Sequence, residues 1–383
     1  MKWRNQAIFV TGATGFIGGR ICERLVMANV GCVRALVHTP YKAARIARLP
    51  IEMHSGSLLD RKSLRSALDQ AKIVVHCGLG NARGIVRGTE NLLSVAAEAG
   101  VEKFVHMSTA AVHGLTPPPG TETEDVPVRT TGDDYCDNKW RAERVVTRFS
   151  RRGLSTVILR PSIVWGPYSQ WSTRLVQSLR QNTAILIDGG RGACNTTYID
   201  NLVDAVFLSL DKDACNGEAF FITDNEKITW GDFIRAHVAM LGTSEPLPEI
   251  TSSEVLAYYK QQPGLLTGSI KATAQILRSR QFRELLVQIP LTRRLLSGAW
   301  EWLESLSEDR RAVVRSRLGV RPPPAEGASA RTPMPDPVDF ATQTGTVFFS
   351  IDKAQRILGY EPRILFRQGV TLVEQWMRHA NYI

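Results

Sequence analysis

The chain has 383 residues, of which 43% are hydrophobic and 22% are charged, and its formal net charge is +10. This composition is ordinary for a globular protein with a large core, and the length favours two or more domains. The basic excess raises nucleic acid as a partner, but the chain has no basic run with interleaved aromatic residues, which excludes that class.

Membrane-spanning, secreted and zinc-binding proteins are also disfavoured. The sequence has no run of about 18 apolar residues. Lys2 and Arg4 lead into a short apolar run that ends at a glycine turn, which is not typical of a secretory signal. Six cysteines are scattered without a CxxC pair, which favours reduced thiols over a disulfide framework or a zinc site. We therefore predict a cytoplasmic protein with no metal.

The first predicted element is a strand that breaks into a glycine-rich turn and then a helix. Ala7–Val10 is apolar, TGATGFIGG follows at 11–19, and a helical pattern comes next. Glycine is needed where the backbone approaches a diphosphate closely, and the N-terminus of the helix offers free amides to that diphosphate. Gly12, Gly15 and Gly18 therefore predict a dinucleotide site.

The second predicted strand, Val33–Val37, ends at His38, and Lys42 and Arg45 follow. A site built for NAD usually offers an acidic residue to the adenosine ribose at this point. Cations in its place favour the 2′-phosphate of NADP, although surface residues of the next helix would give the same pattern. The predicted cofactor is NAD or NADP, with a preference for NADP.

Strand and helix patterns continue to alternate along the chain. Strand-like runs occupy 51–54 and 73–76, and the second run ends at Cys77 and Gly78. Strands that alternate with helices pair in parallel and carry helices on both faces of the sheet. The sequence therefore predicts an α/β fold with a Rossmann-type doubly wound parallel sheet.

Two later segments carry candidate catalytic groups. A buried strand at 104–109 ends in the hydroxyls of Ser108 and Thr109, and a spacing of four places Tyr135 and Lys139 on one helical face. A free tyrosine, with a pKa of about 10, is a poor base at neutral pH. A nearby ammonium, helped by an oxidised nicotinamide ring, favours the phenolate, and Thr109 can hold the substrate oxygen.

Together and in this order, the motifs resemble the extended short-chain dehydrogenase/reductase family. That family contains NAD-dependent epimerases and dehydratases as well as 3β-hydroxysteroid and sterol dehydrogenases. The resemblance spans most of residues 5–235 and resumes near 348. The segments that carry it are TGATGFIGG at 11–19, GSLLD at 56–60, RGTENLL at 87–93, FVHMSTAAVHG at 104–114, YCDNK at 135–139, LRPSIVWGP at 159–167, TYIDNLVDA at 197–205, GEAFFITD at 217–224 and SIDKAQRILGYEP at 350–362.

The resemblance implies a role for each matching residue and a smaller, mostly helical C-terminal substrate lobe. It makes Tyr135 the general acid/base, Lys139 the ribose-binding residue that lowers the pKa of the tyrosine, and Thr109 the hydroxyl that orients the substrate. The cofactor contacts that it implies, with Asp60 on the adenine side and Pro161 and Ser162 beside the nicotinamide, are Gly12, Thr14, Gly15, Phe16, Ile17, His38, Leu59, Asp60, Cys77, Gly78, Ser108, Tyr135, Lys139, Pro161, Ser162 and Val164.

Two departures from the family pattern narrow the expected chemistry. Family 4,6-dehydratases carry Asp-Glu directly after the catalytic threonine, whereas Ala110 and Ala111 stand here, so elimination of water is disfavoured. Many nucleotide-sugar enzymes carry an arginine that grips a diphosphate where this chain reads Cys194-Asn195-Thr196. The nearby arginines that could replace it are Arg174, Arg180 and Arg191.

Three functions follow from this pattern. We expect an NAD(P)-dependent oxidoreductase that transfers hydride between nicotinamide and a secondary alcohol or ketone of a sugar-like or polycyclic small molecule. A nucleotide-sugar epimerase with tightly held NAD uses the same residues and stays open. A non-catalytic dinucleotide-sensing protein is the alternative from another class, and the intact Thr109, Tyr135 and Lys139 argue against it.

The predicted domains interleave along the chain. The dinucleotide-binding domain covers 1–165, with 196–224 and about 346–360 returning to it. The substrate-binding lobe covers 166–195 and 225–383, including an added helical segment at 246–320 and a flexible loop at 321–338. Apolar and aromatic residues mixed with arginines at 281–305 suit either a peripheral membrane contact or a core-facing amphipathic helix. A homodimer is the default expectation, because family members often pair through helices of the Rossmann core.

Overall fold

The structure is a computed structural model that describes residues 2–79, 82–242, 246–261 and 334–383. Contacts divide the chain into two compact units, Met1–Ile250 with Pro335–Ile383, and Thr251–Met334. In the second unit, the described helix begins at Ser252, where the Thr251 backbone amide donates to the Glu254 carboxylate at 2.8 Å and the Thr251 hydroxyl accepts from the Glu254 amide. This reciprocal pair satisfies amides at the start of the helix.

A seven-stranded parallel sheet forms the centre of the first unit, with the strand order β10-β6-β5-β4-β1-β2-β3. The chain crosses from β1 to β2 on one side and later to β4 on the other, so a crevice opens at the carboxyl ends of β1 and β4. These strands are β1 Ala7–Thr11, β2 Cys32–Val37, β3 Glu52–Ser55, β4 Ile73–His76, β5 Lys103–Met107, β6 Ser155–Pro161 and β10 Ala219–Ile222.

Helices cover both faces of this sheet. The α-helices are α1 Phe16–Met27, α2 Arg61–Ala67, α3 Ala82–Glu98, α4 Asp134–Ser150, α5 Gln170–Arg180, α6 Ile199–Asp211, α7 Trp230–Leu241, α8 Ser252–Gln261, α9 Pro337–Thr344, α10 Asp352–Leu358 and α11 Phe366–His379. Short 3-10 helices occupy Lys2–Asn5, Pro40–Arg45, Ala110–His113, Asp188–Gly190 and Asp213–Cys215.

Alternate residues of β1 show how the two layers form. Ile8 and Val10 belong to the core that includes α1, α6, α10 and α11, whereas Phe9 belongs to the core of α2, α3 and α4. Successive side chains of a strand point to opposite faces, so an unbroken apolar run is buried on both sides. The predicted doubly wound parallel sheet is thereby confirmed.

Two small sheets and a returning segment complete the first unit. β7 Ile163–Trp165 pairs with β9 Thr196–Tyr198, and β8 Leu186–Ile187 pairs with β11 Glu249–Ile250. The amide of Asn195 donates to the Val347 carbonyl at 2.8 Å, and its oxygen accepts from the Phe349 amide at 2.9 Å. These bonds fasten the chain after 345 beside β9.

The C-terminal described residues are mostly helical, as predicted. The predicted flexible loop at 321–338 overlaps α9 at its end, because the Asp336 carboxylate caps that helix and Pro337 suits its first turn. Residues 321–333 of that loop lie outside the described residues, as do the predicted helical segment from 262 to 320 and the segment 281–305 within it. Within the described ranges, no helix is long and apolar enough to cross a membrane. The domain boundaries themselves stay a prediction.

Candidate active site

The glycine turn after β1 lies against the chain that follows β4. Gly12 has a φ of +68°, and a Cβ on it would lie 2.6 Å from the Cys77 carbonyl oxygen. A side chain at this position would therefore be strained by its backbone conformation and blocked by a neighbouring main chain. A Cβ on Gly78 would meet the Thr11 hydroxyl at 3.1 Å and the Leu58 side chain at 2.9 Å. The two loops thus form one continuous wall of the crevice.

The N-terminus of α1 is free to bind an anion. Gly15 is the N-cap and supplies no capping side chain, and the first turn contains no acidic residue. The first amides of a helix have no partner within the helix, and the helix dipole is positive at that end. Gly15 is exposed, and Thr14, Phe16 and Ile17 are half-buried. The turn therefore fits the pyrophosphate of a dinucleotide.

The adenosine side of the predicted site is open to solvent. His38 and Leu59 are exposed, and Leu59 keeps 53% of its surface accessible. The Asp60 carboxylate accepts from the Lys62 amide at 2.9 Å and so caps α2. Sequence reasoning assigned Asp60 to the adenine, and the structure adds this role at the start of the helix.

Arg45, one of the predicted phosphate-side cations, is engaged within the protein. Its guanidinium donates to both Glu23 carboxylate oxygens at 3.1 and 3.3 Å and lies 4.4 Å from the centre of the Tyr168 ring. Tyr168 has a φ of +71°, which is uncommon for a residue with a side chain. Lys42, by contrast, is exposed.

The predicted nicotinamide side follows the end of β6. Pro161 and Val164 are buried, and the Ser162 amide donates to the Thr197 hydroxyl at 3.3 Å. That hydroxyl donates in turn to the Ile222 carbonyl at 2.7 Å. The segment is thus tied to β9 and to the sheet, which fixes one wall of the crevice.

Thr109 and Tyr135 are brought together from distant parts of the sequence. Thr109 caps the 3-10 helix Ala110–His113, and Tyr135 is the second residue of α4. The tyrosine is 41% exposed, yet the surrounding protein raises the pKa of its hydroxyl to about 12, and a hydrogen bond with Thr109 opposes this rise. The tyrosine is therefore protonated at neutral pH.

Lys139 lies one turn further along α4 and is buried. Its ammonium donates to the Met107 carbonyl at 2.6 Å, at the end of β5. Burial lowers the pKa of Lys139 to about 8, and the Glu143 carboxylate opposes this fall. Lys139 is not among the groups that shift the pKa of Tyr135. The helical spacing predicted the shared face, but it could not show that a main-chain carbonyl holds the ammonium.

Two buried histidines lie beside Lys139. His76 contacts the hydroxyls of Thr11 at 2.7 Å and Thr89 at 3.0 Å, while neither ring nitrogen of His106 has a partner among the described residues. Their rings are 5.3 Å apart. Burial lowers the pKa of both imidazoles, and the Lys139 ammonium lowers it further. Both are therefore neutral at pH 7, and Lys139 carries the positive charge.

A buried ion pair that sequence reasoning missed supports this site. The Ser108 hydroxyl donates to Glu143 at 2.5 Å, and Arg160 donates to both oxygens of the same carboxylate at 3.0 and 2.7 Å. All three side chains are buried. The only signal for it in the sequence was the second spacing of four, from Lys139 to Glu143. Ser108, predicted to contact the cofactor, uses its hydroxyl in this network.

The position where many nucleotide-sugar enzymes carry an arginine is filled by structural contacts. Asn195 is buried and uses both ends of its amide to hold the returning segment, as described above. The predicted substitutes Arg174, Arg180 and Arg191 are exposed. The described residues here contain no buried cation beside Asn195 that could grip a diphosphate.

Comparison with known proteins defines the class. Residues 8–222 match the NAD dependent epimerase/dehydratase family. A 2-alkyl-3-oxoalkanoate reductase from Stenotrophomonas maltophilia is 31% identical over 61% of this chain and 76% of its own length. A 3 beta-hydroxysteroid dehydrogenase/Delta 5→4-isomerase from Mycobacterium tuberculosis is 28% identical over 65% and 73%. An NAD complex of UDP-glucuronic acid 4-epimerase from Bacillus cereus has a TM-score of 0.65 at 17% identity, covering 98% and 99%.

The sheet, the glycine turn and the match over more than half of the chain define an NAD-dependent enzyme of the extended short-chain dehydrogenase/reductase type. The chain belongs to the NAD dependent epimerase/dehydratase family. The resemblance predicted from the sequence is confirmed. The roles assigned to individual site residues stay predictions.

Proposed function

We propose that the protein is an NAD(P)-dependent oxidoreductase that interconverts a ketone and a secondary alcohol. The observation that carries this proposal is that Thr109 lies close enough to Tyr135 to act on its hydroxyl, with the buried ammonium of Lys139 one helical turn away. These groups lie on loops and a helix that follow β5, next to the glycine turn at the crevice. Relatives named as reductases and dehydrogenases support the same reaction type.

Nicotinamide supplies or accepts the hydride in this chemistry. Thr109 and Tyr135 offer two hydroxyls to one reacting oxygen, and such preorganised donors stabilise the negative charge that develops there. In the direction of reduction, Tyr135 donates its phenolic proton to that oxygen. Because its pKa is raised to about 12, Tyr135 is held in the acid form that this step needs. Lys139 supplies a fixed positive charge and would bind ribose hydroxyls.

We infer net oxidoreduction rather than nucleotide-sugar epimerisation. The diphosphate of a nucleotide sugar requires cations, and Asn195 takes the place of the arginine while its amide is fully used by the main chain. Elimination of water is disfavoured by Ala110 and Ala111, which cannot act as acid or base. The epimerase structures are similar to this chain in fold, and a similar fold does not establish that the chain binds the same substrates.

We infer NADP as the preferred cofactor. Arg45 is occupied by Glu23 and Tyr168, so the exposed Lys42 is the cation that supports this preference. A phosphate at the adenosine ribose pairs with such groups, whereas the unmodified ribose of NAD normally meets an acidic residue. Among the described residues that follow β2 up to Arg45, none is acidic.

We also infer a cytoplasmic location and a homodimer. All six cysteines are free thiols, which suits a reducing compartment. Light scattering of the purified protein tests the dimer. A mass near twice the 42.5 kDa of the chain is expected.

Tyr135→Phe tests the proposed function. It removes the proton donor and keeps the ring, so we expect turnover to fall at least about 1,000-fold while the dissociation constant for NADPH changes less than about threefold. Tyr382→Phe is the matched control, because that ring is similarly exposed at 42% and stacks on Trp376 instead. A Tyr135→Phe variant with normal turnover contradicts the assignment. Mass spectrometry of any dinucleotide released on denaturation separates the alternatives, because stoichiometric NAD that does not exchange supports an epimerase.

A further inference from the structure

A cavity of about 620 Å³ opens between the two segments that carry the candidate catalytic hydroxyls. One wall continues from the 3-10 helix capped by Thr109 and includes Gly114–Thr116 and Pro118–Thr121. The other wall runs through 126–133 and ends two residues before Tyr135. Thr109 lies four residues before the first lining residue, His113, and Tyr135 lies two residues after Asp133, so the cavity adjoins the chain segments that carry both hydroxyls.

The walls are fixed by hydrogen bonds of their own polar groups. The Thr116 hydroxyl donates to the Ala341 carbonyl at 2.6 Å, and the Thr121 hydroxyl donates to the Pro118 carbonyl at 2.7 Å. The Thr131 hydroxyl donates to the Asp137 carboxylate at 3.0 Å. Because these three hydroxyls are already used as donors, the lining is less polar than its residue names indicate.

Apolar side chains form much of the cavity surface that is left to contact a ligand. The cavity is lined by Leu115, Pro118, Pro119, Val126 and Pro127. A small-molecule site of this kind typically joins an apolar lining to a few polar groups that set orientation. The lining therefore favours a substrate with a hydrocarbon body.

Arg129 is the cation of this lining. Its side chain is exposed and has no ion pair with any residue that the structure describes. His113 also lines the cavity, but burial lowers its pKa to about 4, so it is neutral at pH 7. The Asp133 carboxylate is occupied as the cap of α4, where it accepts from the Cys136 amide at 2.8 Å. Arg129 thus contributes a guanidinium without an ion pair among the described residues to a lining of apolar side chains, hydroxyls and the capping carboxylate of Asp133.

We propose that the substrate is an amphiphilic oxo acid whose carboxylate binds Arg129, whose hydrocarbon part fills this cavity, and whose ketone oxygen reaches Thr109 and Tyr135. The assignment rests on the proposed oxidoreductase function and adds the substrate class and its specificity-determining residue. A guanidinium pairs with a carboxylate through two parallel hydrogen bonds, which fixes orientation as well as adding affinity. A nucleotide-sugar diphosphate would find one cation here and a largely apolar surface.

The test measures binding and turnover of 3-, 4- and 5-oxodecanoate, each against its methyl ester. Calorimetry on the full chain with saturating NADP+ gives dissociation constants, and NADPH oxidation gives kcat/KM. For at least one acid, we expect about 10- to 100-fold tighter binding than for its ester, the range of one charge-assisted pair. Arg129→Gln should abolish that preference and leave the esters unchanged, and Arg129→Lys should restore part of it.

Arg151→Gln is the matched control, because Arg151 is an exposed arginine at the opposite end of α4 from Tyr135. It should leave both acids and esters unchanged. Equal binding of acids and esters by the wild type, or an unchanged preference in Arg129→Gln, overturns the oxo-acid assignment alone. If the acids bind through Arg129 but neither acids nor esters are turned over, the substrate site stands and the proposed oxidoreductase function fails.

Discussion

Glu143 accepts a 2.5 Å hydrogen bond from the Ser108 hydroxyl, and this contact joins helix α4 to the end of strand β5. Tyr135 and Lys139 precede Glu143 on the same face of α4, and Thr109 follows Ser108 directly. Together with the bond from Lys139 to the Met107 carbonyl, this carboxylate holds the candidate catalytic groups in place without contacting Thr109 or Tyr135. Arg160 on β6 neutralises that carboxylate from the other side.

Glu143→Gln should destabilise the protein strongly. The substitution leaves the Arg160 charge buried without its partner, which typically costs about 3–5 kcal/mol in the free energy of unfolding. Urea titration followed by circular dichroism measures the change. Glu98→Gln is the control, because Glu98 pairs with Arg61 and Arg65 at the surface and such pairs contribute about 1 kcal/mol or less. Equal losses of stability in the two variants would show that the buried ion pair contributes no more than a surface ion pair.

Gly12→Ala should abolish dinucleotide binding. Gly12 and Gly100 have nearly the same backbone conformation, with φ of +68° and +69°, but only Gly12 has a main chain against the position of a Cβ. Gly100→Ala should therefore lower stability by about 1 kcal/mol, the cost of the left-handed conformation, and keep NADPH affinity. Fluorescence titration with NADPH compares the two. Normal binding by Gly12→Ala would contradict the close packing of the turn on Cys77.

The stability of the protein should depend on Lys139 at alkaline pH. Its pKa is about 8 in the folded chain and 10.5 ordinarily, so between these values the unfolded chain holds a proton that the folded chain has released. Stability then rises with pH, by about 3 kcal/mol across the window for this group. Below pH 8 both states are protonated, and the full cost of burying the ammonium remains.

Lys139→Met provides the comparison for this prediction, since it removes the charge and retains most of the volume. The difference in the free energy of unfolding between wild type and variant, measured at intervals from pH 7 to 10.5, isolates the contribution of Lys139 from those of all other groups. We expect the free energy of unfolding of the wild type to increase relative to that of the variant as the pH rises. A constant difference would mean that Lys139 titrates normally in the folded state.

Lys42→Ala should change the affinity for NADPH but not the affinity for NADH. If Lys42 meets the 2′-phosphate, its loss should weaken NADPH about tenfold and leave NADH unchanged, because NADH lacks that phosphate. Isothermal titration gives both constants. Lys72→Ala is the control, as Lys72 is also exposed and pairs with Glu102 at 3.5 Å before β5 begins. An equal effect on NADH and NADPH would remove the argument for NADP from this residue.

Local patterns predicted much of this structure. The apolar runs that became β1, β2, β4 and β5 and the glycine turn at 11–19 are determined by neighbours in sequence, so periodicity and glycine spacing were sufficient to place them. The contacts of Asn195 join residues more than 150 positions apart, and no local pattern indicates that its amide is occupied. The same holds for the Met107 carbonyl that receives Lys139.

Arg45 illustrates how the sequence-based prediction of a site residue can differ from its contacts in the structure. Its place after β2 marked it as a phosphate ligand, because the sequence shows a cation near the end of a strand and not where its guanidinium points. The structure pairs it with Glu23 of α1 and stacks it on Tyr168, both beyond the local window. Sequence position thus identified the region of the site, while side-chain partners decide which residues are available.

The strand order has a consequence for synthesis on the ribosome. All of the candidate catalytic residues have been translated by Lys139, but the outer edge of β6 pairs only with β10, whose first residue is Ala219. A nascent chain between these points exposes a row of unpaired main-chain groups on an apolar strand, which is a template for aggregation. At about 5–20 residues per second this exposure lasts several seconds. Capture by a chaperone during that interval would protect a chain whose candidate catalytic residues have all been translated.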